Sequence, residues 1–135
     1  MRLAMWSGPR NLSTAMMYAF GHRAGFAVIG APFYAPPLAQ PALHHPLLSE
    51  ILAAQPTDPA EVVAGLLGPV PDGRAHYYQK HMTQHMITGV PRDWMAQVVN
   101  VFLIRHPARV AASFSAKYDN PTVADLGFEL QLELY

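Results

Sequence analysis

Arg2-Leu3-Ala4-Met5-Trp6, Ser7-Gly8-Pro9-Arg10-Asn11 and Leu12-Ser13-Thr14-Ala15-Met16-Met17-Tyr18-Ala19-Phe20 open the chain. The first five residues form a short apolar run of the kind that makes a buried strand. The next five hold Gly and Pro and read as a tight turn. In the last piece Leu12, Met16 and Phe20 recur at helical spacing, with Met17 alongside, so the spacing predicts a core-facing helix. Strand, turn and helix in immediate succession make an anion pocket. The first turn of a helix leaves backbone N–H groups unpaired, and the helix dipole adds partial positive charge there. Arg10 and the hydroxyls of Ser13 and Thr14 add donors, so the stretch is read as a phosphate- or sulfate-binding loop.

Outward from that unit, further strands and helices alternate. Phe26–Ile29 reads as a second buried strand after a Gly21–Gly25 helix stop. Three prolines in Gly30–Pro37 predict loop, and the Pro-rich run from Ala31 to Pro46 is expected to be irregular. Pro46–Ala54 reads as helix. Asp58-Pro59-Ala60-Glu61 has the capping residue, first-turn proline and acid of a helix start, and Gly68-Pro69 ends that helix. Pro71-Asp72-Gly73 is a turn. Ala75–Lys80 is expected to be a third strand, with a histidine-rich loop from His81 to Met86 behind it. A short helix is expected over Pro91–Gln97. Val98–Ile104 is the strongest strand pattern and looks too apolar for a sheet edge. Pro107 opens a helix through Tyr118, and Thr122 caps one more helix running to Tyr135.

Strands of this kind separated by helices predict an α/β fold: a parallel sheet of about four strands, flanked by helices in three layers, over a single domain spanning 1–135. Ligands bind such sheets at the carboxyl ends of the strands. Arg10, Lys80 with His81, and Arg105 each lie just past a predicted strand end, and that convergence is more informative than any one of them.

Composition narrows the options. Formal net charge is zero, which gives no reason to expect a nucleic acid or an anionic membrane as partner. The 135 residues contain no cysteine, which excludes disulfides, thiolate zinc sites and a Cys nucleophile. His76, His81 and His85 lie close in sequence but lack an acidic partner, and no metal is expected. No apolar run approaches the roughly 18 residues of a membrane span, and no signal-peptide pattern opens the chain, so a cytoplasmic location is expected. Only 13% of residues are charged while 51% are hydrophobic, against about 25% charged in an average domain. That imbalance predicts apolar surface covered by a second copy, or a domain lacking its C-terminal part.

Two motifs resemble a known family. Pro9-Arg10-Asn11-Leu12-Ser13-Thr14 resembles the 5′-phosphosulfate loop of sulfotransferases. Arg105-His106-Pro107, with Ser113 eight residues after the arginine, resembles the family's 3′-phosphate motif. The run Met5–Met17, together with Pro32–Ala35 and Tyr78–Thr83, is similar to a bacterial sulfotransferase-like subfamily. The resemblance implies a P-loop-type fold that uses 3′-phosphoadenosine 5′-phosphosulfate (PAPS), without metal, to sulfate a hydroxyl or amine of a small-molecule acceptor. It implies that Gly8, Pro9, Arg10, Asn11, Leu12, Ser13 and Thr14 hold the 5′ end and Arg105 and Ser113 the 3′-phosphate. Lys80 would neutralise the leaving oxygen, and His81 or His85 would take the acceptor's proton. The chain departs from the pattern in three ways. Leu12 stands where the family often has glycine, Gly30-Ala31 where the subfamily carries an acidic pair, and sulfotransferase domains are longer. A non-catalytic nucleotide-binding or dimerising protein of the same fold is therefore the alternative. A P-loop NTP kinase ranks third, because Gly-x-x-x-x-Gly-Lys-Ser/Thr is absent and no Asp follows a strand to hold Mg²⁺.

Overall fold

The computed structural model describes residues 1–38 and 48–135. Four strands, β1 (Arg2–Ser7), β2 (Phe26–Gly30), β3 (His76–Met82) and β4 (Val99–Phe102), form one sheet in the order β2-β3-β1-β4. All three pairings are parallel, with Leu3 opposite Tyr78 and Val99, and Val28 also opposite Tyr78. The α/β architecture expected from the sequence is the one observed.

Strand alternation sorts the core into two layers. Ala4 and Trp6 face one side, where they pack with Phe33, Val62, Leu66, Met86 and Trp94. Helix α4 (Pro59–Leu67) supplies Val62 and Leu66. Its start is built as its sequence predicts: the Asp58 side chain accepts from the Ala60 N–H, and Pro59 occupies the first turn. Leu3, Met5 and Tyr78 face the other side against Met16, Met17 and Phe20 of helix α1 (Ser13–Gly21). Buried polar groups tie the layers to the sheet. Trp6 Nε1 donates to Asn100 Oδ1 at 2.8 Å, and Gln79 Nε2 donates to Leu66 O at 2.9 Å.

Several elements differ from the sequence reading. Helix α2 (Ala35–Leu38) contains Pro36 and Pro37; a single helical turn needs no N–H from its first residues, so proline fits there. Helix α3 is Leu48–Ala54, and the expected start at Pro46 lies outside the described residues. The expected helix over Pro91–Gln97 is a 3₁₀ segment, Asp93–Gln97. The C-terminal helix is two pieces, α6 (Val123–Leu126) and α7 (Phe128–Leu134), broken where Gly127 adopts φ 69°. The expected capping box is present: Thr122 accepts from the Asp125 N–H, and Asp125 accepts from the Thr122 N–H.

Two corrections matter for the site. Strand β3 runs through Met82, so His81 and Met82 belong to the strand rather than to a loop. Strand β4 is the edge of the sheet, not an interior strand. Its apolar content serves its two faces, with Phe102 in the aromatic layer, while its outer edge pairs with no strand among the described residues. Hydropathy reads faces and does not register backbone pairing. Val99 and Val101 are left 49% and 37% exposed.

Candidate anion-binding site

At the carboxyl ends of β1, β3 and β4 lies a cleft of about 460 Å³ lined by residues 9–15, Lys80, Met82, Arg105 and Ser113. The loop after β1 forms its base. Arg10 and Leu12 both adopt left-handed backbone, at φ 62° and 61°. Such a conformation costs a non-glycine residue about 1–2 kcal/mol. Strain of this kind persists where the surroundings over-determine it, commonly at functional sites. Leu12, 73% exposed, tolerates it without glycine and carries no side-chain cap for α1. The uncapped first turn of α1 therefore keeps its N–H groups for another partner.

Helix α5 (Pro107–Ser115) forms the facing wall. Pro107 in its first turn sets the chain direction after β4, so that Arg105 points back at the loop. Arg105 Nη1 donates to the Arg10 carbonyl at 2.7 Å, and Arg10 Nε donates to Ser113 Oγ at 3.0 Å. The two arginine motifs, 95 residues apart in sequence, thus meet within one hydrogen bond of each other. Lys80 enters from β3 on the α1 side of the sheet, and burial pushes its ammonium below the usual lysine value.

Among the described residues, the cleft is lined by three cationic side chains and no carboxylate. Among the described residues, the ion pair Arg92–Glu133 at 2.7 Å involves none of them. Asn11 completes the loop: it is 7% exposed and its Oδ1 has no hydrogen-bond partner.

The structure brings together Pro9, Arg10, Asn11, Leu12, Ser13, Thr14, Lys80, Arg105 and Ser113. Gly8 sits just behind the loop, its N–H bonded to Gln131 Oε1 at 3.0 Å. His81 and His85 stand apart. Neighbouring strand residues point to opposite faces, so with Lys80 in the cleft, His81 points into the core. It is 1% exposed, stacks on Trp6 at 4.4 Å and neighbours Phe33 and Trp94, and neither ring nitrogen has a hydrogen-bond partner. Burial, with His85 and Lys80 nearby, lowers its pKa to about 3. His85 packs on Tyr34 with ring centroids 5.0 Å apart, and burial beside Lys80 lowers its pKa to about 4. Met82 and Ala15 line the cleft without having been singled out in the sequence; Met82 follows from the alternation once β3 is extended by two residues. Among the described residues, no three His, Cys, Asp or Glu side chains cluster as a metal site would require, and no helix is long and apolar enough to cross a membrane.

A family model described as a sulfotransferase domain matches residues 1–135. Two curated proteins of Arabidopsis thaliana are similar over nearly the whole chain. Branched-chain-amino-acid aminotransferase-like protein 2 is 31% identical over 132 residues, covering 96% of this chain and 23% of the relative. Branched-chain-amino-acid aminotransferase-like protein 1 is 30% identical over 131 residues, with the same coverage. The chain thus spans about a quarter of the length of these relatives. No solved structure matches.

Proposed function

Because the chain belongs to the sulfotransferase domain family, we propose that its cationic cleft binds PAPS and its product, adenosine 3′,5′-bisphosphate (PAP). The observation that supports this best is the meeting of Arg10, Lys80 and Arg105 in one cleft that, among the described residues, is lined by no carboxylate. Three cations held together without counter-ions leave a strong positive field, which favours a multiply charged anion. A nucleotide with phosphates at both the 5′ and 3′ positions of its ribose fits two arginine motifs better than a single phosphate does.

The residues divide the work. The N–H groups at the start of α1, with Arg10, hold the 5′ end. Arg105 and Ser113 hold the 3′-phosphate; each charge-assisted bond is worth about 1.5–3 kcal/mol. Held there, PAPS would supply the sulfuryl group: its S–O bond to the 5′-phosphate would break as an acceptor oxygen or nitrogen bonds to sulfur, with the acceptor's proton passing to solvent because no described lining side chain is a carboxylate or imidazole. Lys80 donates to the departing bridging oxygen, and its lowered pKa eases that donation. The acceptor is a small molecule with a hydroxyl or amine. Val99, Val101, Ile104, Leu132 and Tyr135, all exposed apolar residues, support a homo-oligomer contact near the β4 edge.

One observation favours a second reading, a nucleotide-binding protein that does not turn PAPS over. Among the described residues, the cleft lining contains no Asp, Glu or His to accept the acceptor's proton. Gly30 and Ala31 stand where the sulfotransferase-like subfamily that the chain resembles carries an acidic pair, and the Ala31 N–H is bonded to the Lys80 carbonyl at 2.8 Å. Incubation with PAPS and a panel of alcohols and amines separates the readings. For an enzyme, Lys80→Met is expected to lower kcat about 10²-fold, the loss typical for a preorganised donor, with little change in KM for PAPS. Tight PAP binding with no transfer to any acceptor would establish the second reading instead.

A further inference from the structure

The two ends of the cleft are joined from behind by a residue of the C-terminal helix. Gln131 of α7 is 8% exposed. Its Oε1 accepts from the Gly8 N–H at 3.0 Å, and its Nε2 donates to the Leu103 carbonyl at 2.9 Å. Gly8 is the first residue after β1 and Leu103 the first after β4. Each precedes an arginine of the cleft by two residues, Arg10 in one case and Arg105 in the other. Here the adjacent parallel strands part into their loops. The Gln131 amide satisfies two backbone groups that the sheet ladder no longer pairs, one from each strand.

The surroundings hold this bridge in place. A Cβ on Gly8 would lie 2.6 Å from the Leu126 carbonyl, so the loop is pressed against the end of α6. Thr83 Oγ1 donates to the Gly127 carbonyl at 3.1 Å, which fixes the turn between α6 and α7 to the end of β3. The C-terminal helices are thereby fastened to the carboxyl edge of the sheet, and the Gln131 side chain reaches both arginine-bearing loops.

We infer that Gln131 is a positioning residue that sets the separation between the 5′ and 3′ ends of the nucleotide clamp. It touches no ligand in this role and acts through the Gly8 and Leu103 backbones. The inference rests on the clamp reading above. Its signature is selective: loosening the bridge reduces the advantage of a ligand that engages both ends, and leaves a ligand that engages one end nearly unaffected.

The test compares PAP with adenosine 5′-monophosphate, which differs from it only in lacking the 3′-phosphate, by isothermal titration at a temperature where the protein is folded. Gln131→Met keeps the volume and loses both hydrogen bonds. It is expected to shrink the PAP-to-monophosphate affinity ratio about tenfold while shifting monophosphate affinity less than about threefold. Gln131→Glu keeps the acceptor for Gly8 and loses the donor to Leu103; it is expected to shrink the ratio as well, and serves if the methionine variant does not fold. A lowered Tm with an unchanged ratio overturns the inference, as does the failure of both variants to fold, because Gln131 would then be only structural. A wild-type protein with no preference for PAP overturns the clamp reading itself.

Discussion

Arg105→Ala is expected to weaken PAP binding about 100-fold, near the upper end of what one charge-assisted phosphate contact supplies. Two losses combine in this variant. The guanidinium is the 3′-phosphate ligand in the clamp reading, and it also donates to the Arg10 carbonyl at 2.7 Å. That bond steadies a loop in which Arg10 and Leu12 both hold left-handed backbone. Without it the strained loop has fewer restraints, so the 5′ end is affected too. Arg109→Ala supplies the control. Arg109 lies in the first turn of α5, is exposed, and does not line the cleft, so its loss is expected to change affinity less than about twofold through long-range charge alone. Calorimetric titration of the two variants side by side checks this. Equal losses from both would show that general positive charge, rather than the clamp, governs binding.

The second large effect is acid sensitivity. His81 and His85 have folded-state pKa values lowered to about 3 and about 4, chiefly by burial. In the unfolded chain both titrate near 6.5. As pH falls below 6.5 the unfolded state takes up protons that the folded state refuses, so stability drops until pH reaches the folded values. Two such groups give a slope of up to about 2.7 kcal/mol per pH unit between pH 6 and 4. From pH 7.5 to 5 the loss is about 4 kcal/mol, a large part of the 5–15 kcal/mol that stabilises an ordinary domain. His81→Phe is expected to halve the slope. The ring would sit among Trp6, Phe33 and Trp94 without the two orphaned nitrogens of His81, so stability at neutral pH should hold or rise. Urea midpoints measured from pH 4.5 to 7.5 for both proteins decide it. An unchanged slope in the variant would show that His81 is not the titrating group.

Those same two histidines mark where sequence reading reached its limit. The loop after β1 was legible because its chemistry is local: strand, turn, arginine and hydroxyls follow one another within twenty residues. Arg105 and Ser113 were singled out by their resemblance to the sulfotransferase 3′-phosphate motif, and the fold brings both to the cleft. His81 was not, because its orientation depends on whether β3 stops at Lys80 or runs two residues further. A two-residue extension places the pair on opposite faces of the sheet. The edge position of β4 was hidden for a different reason, since hydrophobicity reports what covers the faces and says nothing about the free backbone edge. Gln131 was hidden most fully. A glutamine on an amphipathic helix carries no motif, and its partners lie 123 and 28 residues away. The nearest sequence signal was Gly127, whose left-handed turn separates α6 from α7 and turns the latter onto the sheet's carboxyl edge.

In the clamp reading the cleft holds a nucleotide by phosphates at both its 5′ and 3′ positions and needs no metal to do so. Thermal denaturation of the wild-type chain in EDTA, titrated with PAP and separately with adenosine 5′-monophosphate, tests it most directly, with ATP and Mg²⁺ as a third arm without chelator. The expected result is a concentration-dependent rise in Tm with PAP, half-saturating at least about tenfold below the monophosphate, and a response to ATP and Mg²⁺ no stronger than that to the monophosphate. A rise with ATP and Mg²⁺ alone, or no response to PAP, would contradict it.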